Sequence, residues 1–292
     1  MLVTAALWGG AYAIVKDAYR EIDPLPFLLV RFTLASLALA PVIWRLRAQW
    51  PKGRTQWLGT ILVGLTGIGA YQLLFSIGLV YTTASNSTLI ISTSPVFTAL
   101  LAPLAGLGRP GRLQLASIPI SLFGVYLLTG AEGGLAGPYL KGNLLSLAAA
   151  FSVALSFTLS ERLVGSAMGV AAMAWAIVAG TLGLVPWTLP AALAFDWSQV
   201  GLTAWLEVGY AAFLAGALGY VLWYHNLAKL GALRGSIYAF TIPVVGVLAA
   251  VLLLDEPLLW RQAAGGLLVL LGVAVARGRL PRRRKEEAVS TR

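Results

Sequence analysis

The chain has 292 residues, 59% of them hydrophobic and only 11% charged, with a formal charge of +10 and no cysteine. A soluble core cannot absorb so much apolar side chain, so the composition excludes an ordinary soluble domain and predicts an integral membrane protein. Seven of the 21 Lys and Arg fall in the last 16 residues, beyond the final apolar run, so the basic balance is a membrane-end feature and nucleic acid is not an expected partner.

Ten apolar runs approach the roughly 20 residues that cross the hydrocarbon, and without water each must satisfy its own backbone as a helix. Span 1 covers about 2–19, span 2 about 24–44, span 3 about 57–80, span 4 about 84–106 and span 5 about 113–130. A link rich in Gly and Pro (Gly133, Gly134, Gly137, Pro138) follows. Span 6 then covers about 142–163, span 7 about 168–193, span 8 about 202–230, span 9 about 232–254 and span 10 about 260–277. The first run has no basic leader and no small-residue cleavage site, so it is read as a span and not as a signal peptide. Residues 278–292 form a basic tail.

Orientation follows from the charges. With the tail in the cytoplasm, ten spans return the N-terminus there too. The cytoplasmic side then carries Arg45, Arg47, Lys52, Arg54, Arg109, Arg112, Arg162, Lys229, Arg234 and the tail, against Lys16, Arg20, Lys141 and Arg261 outside. Both termini of a multi-pass protein of the cytoplasmic membrane are therefore expected inside. Arg31, about two turns into span 2, is expected to snorkel to the outer surface.

The chain also repeats itself. ASNSTLIISTSPVFTALLAPLAGLGRPGRLQLASIPISLFGVYL at 84–127 aligns without a gap on 232–275, an offset of 148 residues. Ala84 falls on Ala232, Pro95 on Pro243, Gln114 on Gln262 and Gly124 on Gly272. Residues 1–130 and 142–277 are thus two five-helix repeats. Five is odd, so the second half runs upside down relative to the first, which suits alternating access. The expected fold is all-α and integral to the membrane, with ten transmembrane helices as two inverted repeats.

Catalytic signals are scarce. One histidine, no cysteine and no paired intramembrane carboxylates leave nothing to hold a metal or move protons, and no cofactor is expected. The spans carry neutral polar and aromatic stripes instead. Tyr210, Phe213, Ala217, Tyr220 and Tyr224 recur at helical spacing on one face of span 8, and the offset pairs Tyr220 with Gln72 on span 3. Ser85, Thr88, Ser92 and Pro95 make a stripe on span 4, with Ser236, Tyr238 and Pro243 on span 9. Trp8 and Tyr12, one turn apart on span 1, correspond at an offset near 144 to Ser152 and Ser156 on span 6. Gln72, Tyr220 and Tyr224 are the leading candidates for solute contact, with Trp8, Tyr12, Ser92, Ser156 and Tyr238 behind them. A Ser or Thr hydroxyl can equally bond back to its own helix. Pro95 and Pro243 each remove a backbone donor near mid-helix and are candidate hinges.

ALWGGAYAIVK at 6–16, LPFLLVRFTLASLAL at 25–39, SPVFTALLAPL at 94–104 and IPVVGVLAAVLLLDEPLLWRQAAGGLLVLLGVAVA at 242–276 together resemble the drug/metabolite transporter superfamily, in particular its ten-helix EamA-type exporters. The spacing of Glu256, Gln262, Gly265 and Gly272 is similar to that family's closing pattern, although the first repeat has Gly108 where the second has Glu256. The resemblance implies a carrier with a central cavity built from both halves, often exporting amino acids or other small metabolites. A cavity without fixed central charge then suits a neutral or zwitterionic solute. The expected partners are that solute and the bilayer, in a monomer or weak homodimer. Two rivals stand beside this reading: a membrane-embedded enzyme acting on lipid-linked substrates, and a structural membrane protein with no solute path. A cavity of about 300 Å³ or more argues against the second.

Overall fold

A computed structural model describes residues 1–108, 110–130, 137–165, 169–226, 229, 239 and 241–277. The link residues 131–136, the basic tail and Tyr238 lie outside them. The described residues are helical, with no strand among them. In chain order the helices are α1 (Leu2–Ala18), α2 (Pro24–Arg45), α3 (Gly53–Val80), α4 (Ala84–Ile91), α5 (Ser94–Leu101), α6 (Arg112–Gly130), α7 (Leu140–Val164), α8 (Val170–Ala194), α9 (Leu202–Asn226), α10 (Thr241–Leu254) and α11 (Trp260–Arg277).

By length and apolarity α2, α3, α7, α8 and α9 can cross a membrane, with mean hydropathy from 1.4 to 1.9, and the apolar stretches of α6, α10 and α11 are shorter. Span 4, expected as one helix over 84–106, is two. Ser92 and Thr93 separate α4 from α5, because Pro95 has no N–H for the Ile91 carbonyl four residues back and its ring crowds that carbonyl. Beyond Leu101 the chain turns, with Gly106 and Gly108 at positive φ. The packing is inverted relative to a soluble protein. Large side chains such as Trp44, Leu182, Leu193, Leu252 and Leu267 face outward, while Ala5, Ala13, Ala149, Ala174 and Ala211 are fully buried. Small interior residues let helix backbones approach where no hydrophobic contrast with lipid drives them together.

Two helix pairs show their direction through their contacts. On α6 and α11, Ser117 and Ser121 meet Gly272, while Gly124 and Leu128, further along α6, meet Gly265, earlier on α11. The two helices are antiparallel. On α2 and α8, Ser36 and Thr181 share a hydrogen bond of 3.0 Å, and beyond α2 the ring of Trp50 sits edge-on to Trp175 at 5.2 Å. This pair is antiparallel as well. A Cβ added at Gly124 would lie 2.7 Å from the Gly265 carbonyl and 2.8 Å from Val269 N. Gly124→Val is therefore expected to lower stability by about 1–3 kcal/mol through overpacking, read as earlier thermal unfolding in detergent.

A central cavity and a sealed face

A cavity of about 320 Å³ lies at the centre of the molecule. Seven of the eight predicted contact residues line it: Trp8 and Tyr12 from α1, Gln72 from α3, Ser92 from the break between α4 and α5, Ser156 from α7, and Tyr220 and Tyr224 from α9. Pro95 and Pro243 line it too, Pro95 in the first turn of α5 and Pro243 in that of α10. The eighth, Tyr238, falls outside the described residues. The wall also includes Arg31, Tyr71, Phe75 and Trp223, which sequence reasoning did not select.

The wall is ordered largely by aromatic contacts. Trp8 lies edge-on to Tyr220 at 5.1 Å and tilted against Trp223 at 5.2 Å, and Tyr12 packs edge-on to Phe75 at 5.2 Å. The serines are quieter than expected. Ser92 donates to the Thr88 carbonyl at 2.7 Å and Ser156 to that of Val153 at 2.8 Å, so both hydroxyl protons are spent on their own helices. They offer the cavity lone pairs only.

Arg31 corrects the expected snorkelling. Its side chain reaches inward, leaving the residue 5% exposed, and it donates from Nε to the Ala211 carbonyl at 3.3 Å and from Nη1 to Gln72 Oε1 at 3.5 Å. It lies on the buried stripe of α2 with Phe27, Leu28, Phe32 and Ala35. The cavity therefore has a fixed charge, contrary to the expectation of none.

Arg31 meets the Ala211 carbonyl where α9 is not a regular α-helix. Residues Tyr210–Leu218 form wider π-helical turns, and residues Leu65–Ala70 of α3 do the same. The repeat offset carries 65–70 onto 213–218, so both halves widen at one equivalent place. Each widened segment has a carbonyl that another helix meets: Ser152 Oγ donates to Thr66 O at 2.9 Å, and Trp8 Nε1 to Ala215 O at 2.9 Å. Ser152 and Trp8 are the positions that correspond near offset 144. The same widening breaks the predicted stripe on span 8, because a π turn takes more residues than an α turn. Phe213 is exposed on the outside, and Tyr210 donates to the Leu7 carbonyl at 2.9 Å. Only Tyr220 and Tyr224 of that stripe reach the cavity.

Near the Phe75 and Val15 end of the cavity, the molecule is tied shut. Asp255, with φ of 53°, turns the chain after α10 and brings Glu256 onto the start of α4. The carboxylate accepts from Ala84 N at 2.7 Å and from Ser85 N and Oγ at 3.0 and 2.9 Å. These are the unpaired N–H groups of a helix start, where negative charge is favoured. Lys16 pairs with Glu256 at 3.6 Å and donates to the Thr82 carbonyl. Thr82 Oγ1 and Asn143 Oδ1 lie 2.5 Å apart, and Gln262 donates to Asn86 Oδ1 at 3.1 Å. One charged cluster thus joins α1, α4, α7 and the segment between α10 and α11. The rest of the wall descends to Val63, Met173, Tyr224 and Val273, toward the ends of α3, α8, α9 and α11 on the face that carries Arg45–Arg54.

A helical membrane protein with a central aromatic cavity, shut at one end by side chains from both halves of the chain, has the architecture of a carrier. The chain belongs to the EamA-like transporter family, which matches residues 1–130 and 140–278. It is a multi-pass membrane transporter and not an enzyme. It is 28% identical to a probable terminal-alkyne amino-acid exporter of Streptantibioticus cattleyicolor, over 100% of this chain and 97% of that one. It is also 28% identical to a probable amino-acid metabolite efflux pump of Escherichia coli, over 94% and 92%, and 27% identical to an uncharacterized transporter of Archaeoglobus fulgidus, over 94% of each. A solved crystal structure shares the fold with a TM-score of 0.65 at 18% identity, covering 94% of this chain and 93% of that one.

Proposed function

We propose that the protein is a secondary exporter that moves a small zwitterionic or neutral, amino-acid-like metabolite out across the cytoplasmic membrane. It does so by alternating access between two inverted five-helix halves, as a monomer or weak homodimer of ten spans with both termini inside. The observation that carries the reading is the cavity lined by both halves, with the Lys16–Glu256 cluster across one end of it. Support for inversion comes from the antiparallel course of equivalent helices, α2 with α8 and α6 with α11, and from π turns at matching positions in α3 and α9. The excess of Lys and Arg on the opposite side supports taking the sealed face as the outer one. The names of the amino-acid exporters and efflux pumps among its relatives support the solute class. A volume of about 320 Å³ weighs against a purely structural role.

Counterflow into proteoliposomes, run on a panel of amino acids and related metabolites, tests the proposal. Gln72→Ala and Tyr220→Ala are expected to reduce uptake of an accepted solute roughly tenfold each, the effect of one lost hydrogen bond or aromatic contact of about 1–1.5 kcal/mol. Unchanged transport of every accepted solute in both variants overturns the site.

A further inference from the structure

We infer that the cavity holds a carboxylate subsite centred on Arg31, so that the solute is a small carboxylate with an aromatic body, an aromatic amino acid or its deaminated acid. The inference rests on the carrier reading; it narrows the solute to one with an aromatic body and a carboxylate and extends it to the monoanion that lacks the amine.

A guanidinium placed inside a membrane protein is costly unless an anion or several good acceptors meet it. Arg31 meets neither. Both of its acceptors are neutral, and its bonds to Ala211 and Gln72 are long for a charged donor. Among the described residues the two ion pairs are Lys16 with Glu256 and Arg20 with Asp17, and neither involves Arg31. The rest of its surroundings are the Phe32 ring, 4.9 Å away, and the phenols of Tyr12, Tyr19, Tyr71 and Tyr220. Its remaining amino group, Nη2, has no partner among the described residues, is not one of their buried polar atoms sealed without a partner, and belongs to a residue that lines the cavity. Among the described residues the geometry therefore leaves a cation with an open donor edge and no counter-ion.

Gln72 steadies that edge. Its carbonyl accepts from Arg31 and its amide NH2 donates to the Tyr220 hydroxyl, so the amide is held between the two. The open arginine edge suits the two oxygens of a carboxylate. One cation matches a monoanion, whereas a phosphate would leave a second negative charge unpaired. The body of the solute lies against Trp8, Phe75, Tyr220 and Trp223. An ammonium group is tolerated over those ring faces, since among the described residues no acidic side chain lines the cavity.

Three probes on the purified full chain separate the groups: L-phenylalanine, 3-phenylpropionate, which lacks the amine, and phenethylamine, which lacks the carboxylate. Binding is read by thermal shift and by quenching of the wall tryptophans. L-Phenylalanine and 3-phenylpropionate are expected to bind roughly tenfold or more tightly than phenethylamine. Arg31→Gln is expected to erase that preference, and Arg31→Lys, which keeps the charge but not the fork, to retain part of it. If Arg31→Gln does not fold, the wild-type ranking decides alone. Equal binding of phenethylamine and 3-phenylpropionate, or no binding of either carboxylate, overturns the subsite. Counterflow is scored separately. Carboxylate-selective binding without counterflow leaves the subsite standing and removes the carrier reading, and counterflow without carboxylate preference does the reverse.

Discussion

Replacing Glu256 by alanine is expected to unlock the sealed face. Three donors of α4 and the Lys16 ammonium then lose their shared acceptor. Removing one member of a buried charged set costs about 3–5 kcal/mol. The lower end applies here, because the side chain of Lys16 is 28% exposed and that of Glu256 10%. About 3 kcal/mol corresponds to roughly a hundredfold shift in a two-state equilibrium, provided the lost contacts exist in one state only. The chain has no cysteine, so Phe75→Cys, at the sealed end of the cavity, gives a unique label site. Its reaction with an impermeant maleimide added on the sealed face should accelerate by up to that factor in Glu256→Ala. Glu256→Gln should give a smaller gain, since the amide keeps one acceptor for the helix start but no charge for Lys16. Labelling at the wild-type rate in both variants makes the cluster a structural brace and not a gate.

The lock has no counterpart in the other repeat. At the 148 offset Glu256 falls on Gly108, which has φ of 107° and no side chain to offer, and near 144 Lys16 falls on Ser160. The start of the second repeat's equivalent helix cannot be capped by the same carboxylate. The charged closure is therefore a device of one repeat, and Gly108 offers no carboxylate to repeat it.

The sequence announces some of this plainly and hides the rest for physical reasons. Trp8, Tyr12, Gln72 and Tyr220 were legible because polar or aromatic side chains in an apolar span need interior partners. The break in span 4 was also written, in the Ser-Thr-Ser-Pro run at 92–95, but a proline inside a membrane helix more often kinks it than divides it. Arg31 was misjudged because its depth along span 2 is readable and its direction around the helix is not. Nearly every neighbour is apolar, so no polar face exists to orient it. The π turns left no residue pattern at all, and they displaced Phe213 from the face that a regular helix would have given it. Lys16 and Glu256 lie 240 residues apart, and only the folded chain brings the C-terminal ends of α1 and α10 together.

Trp8 is the second position where a large effect is expected, and two substitutions there separate two roles. Trp8→Ala removes a ring packed between Tyr220 and Trp223 and should cost about 3–5 kcal/mol of stability, together with solute binding. Trp8→Phe keeps most of the ring but removes the donor to the Ala215 carbonyl in the widened segment. Losing one such hydrogen bond costs about 0.5–1.5 kcal/mol. Ser152→Ala removes the bond to Thr66 O, which keeps its bond from Tyr71 N–H, and should cost an amount at the low end of that range without touching the aromatic wall. If the two devices are independent, the costs of Trp8→Phe and Ser152→Ala add in the double variant. Thermal unfolding in detergent reads all four proteins. Wild-type stability in Trp8→Phe and Ser152→Ala alike means that the widened turns satisfy themselves, and the side chains that meet them are then ordinary packing.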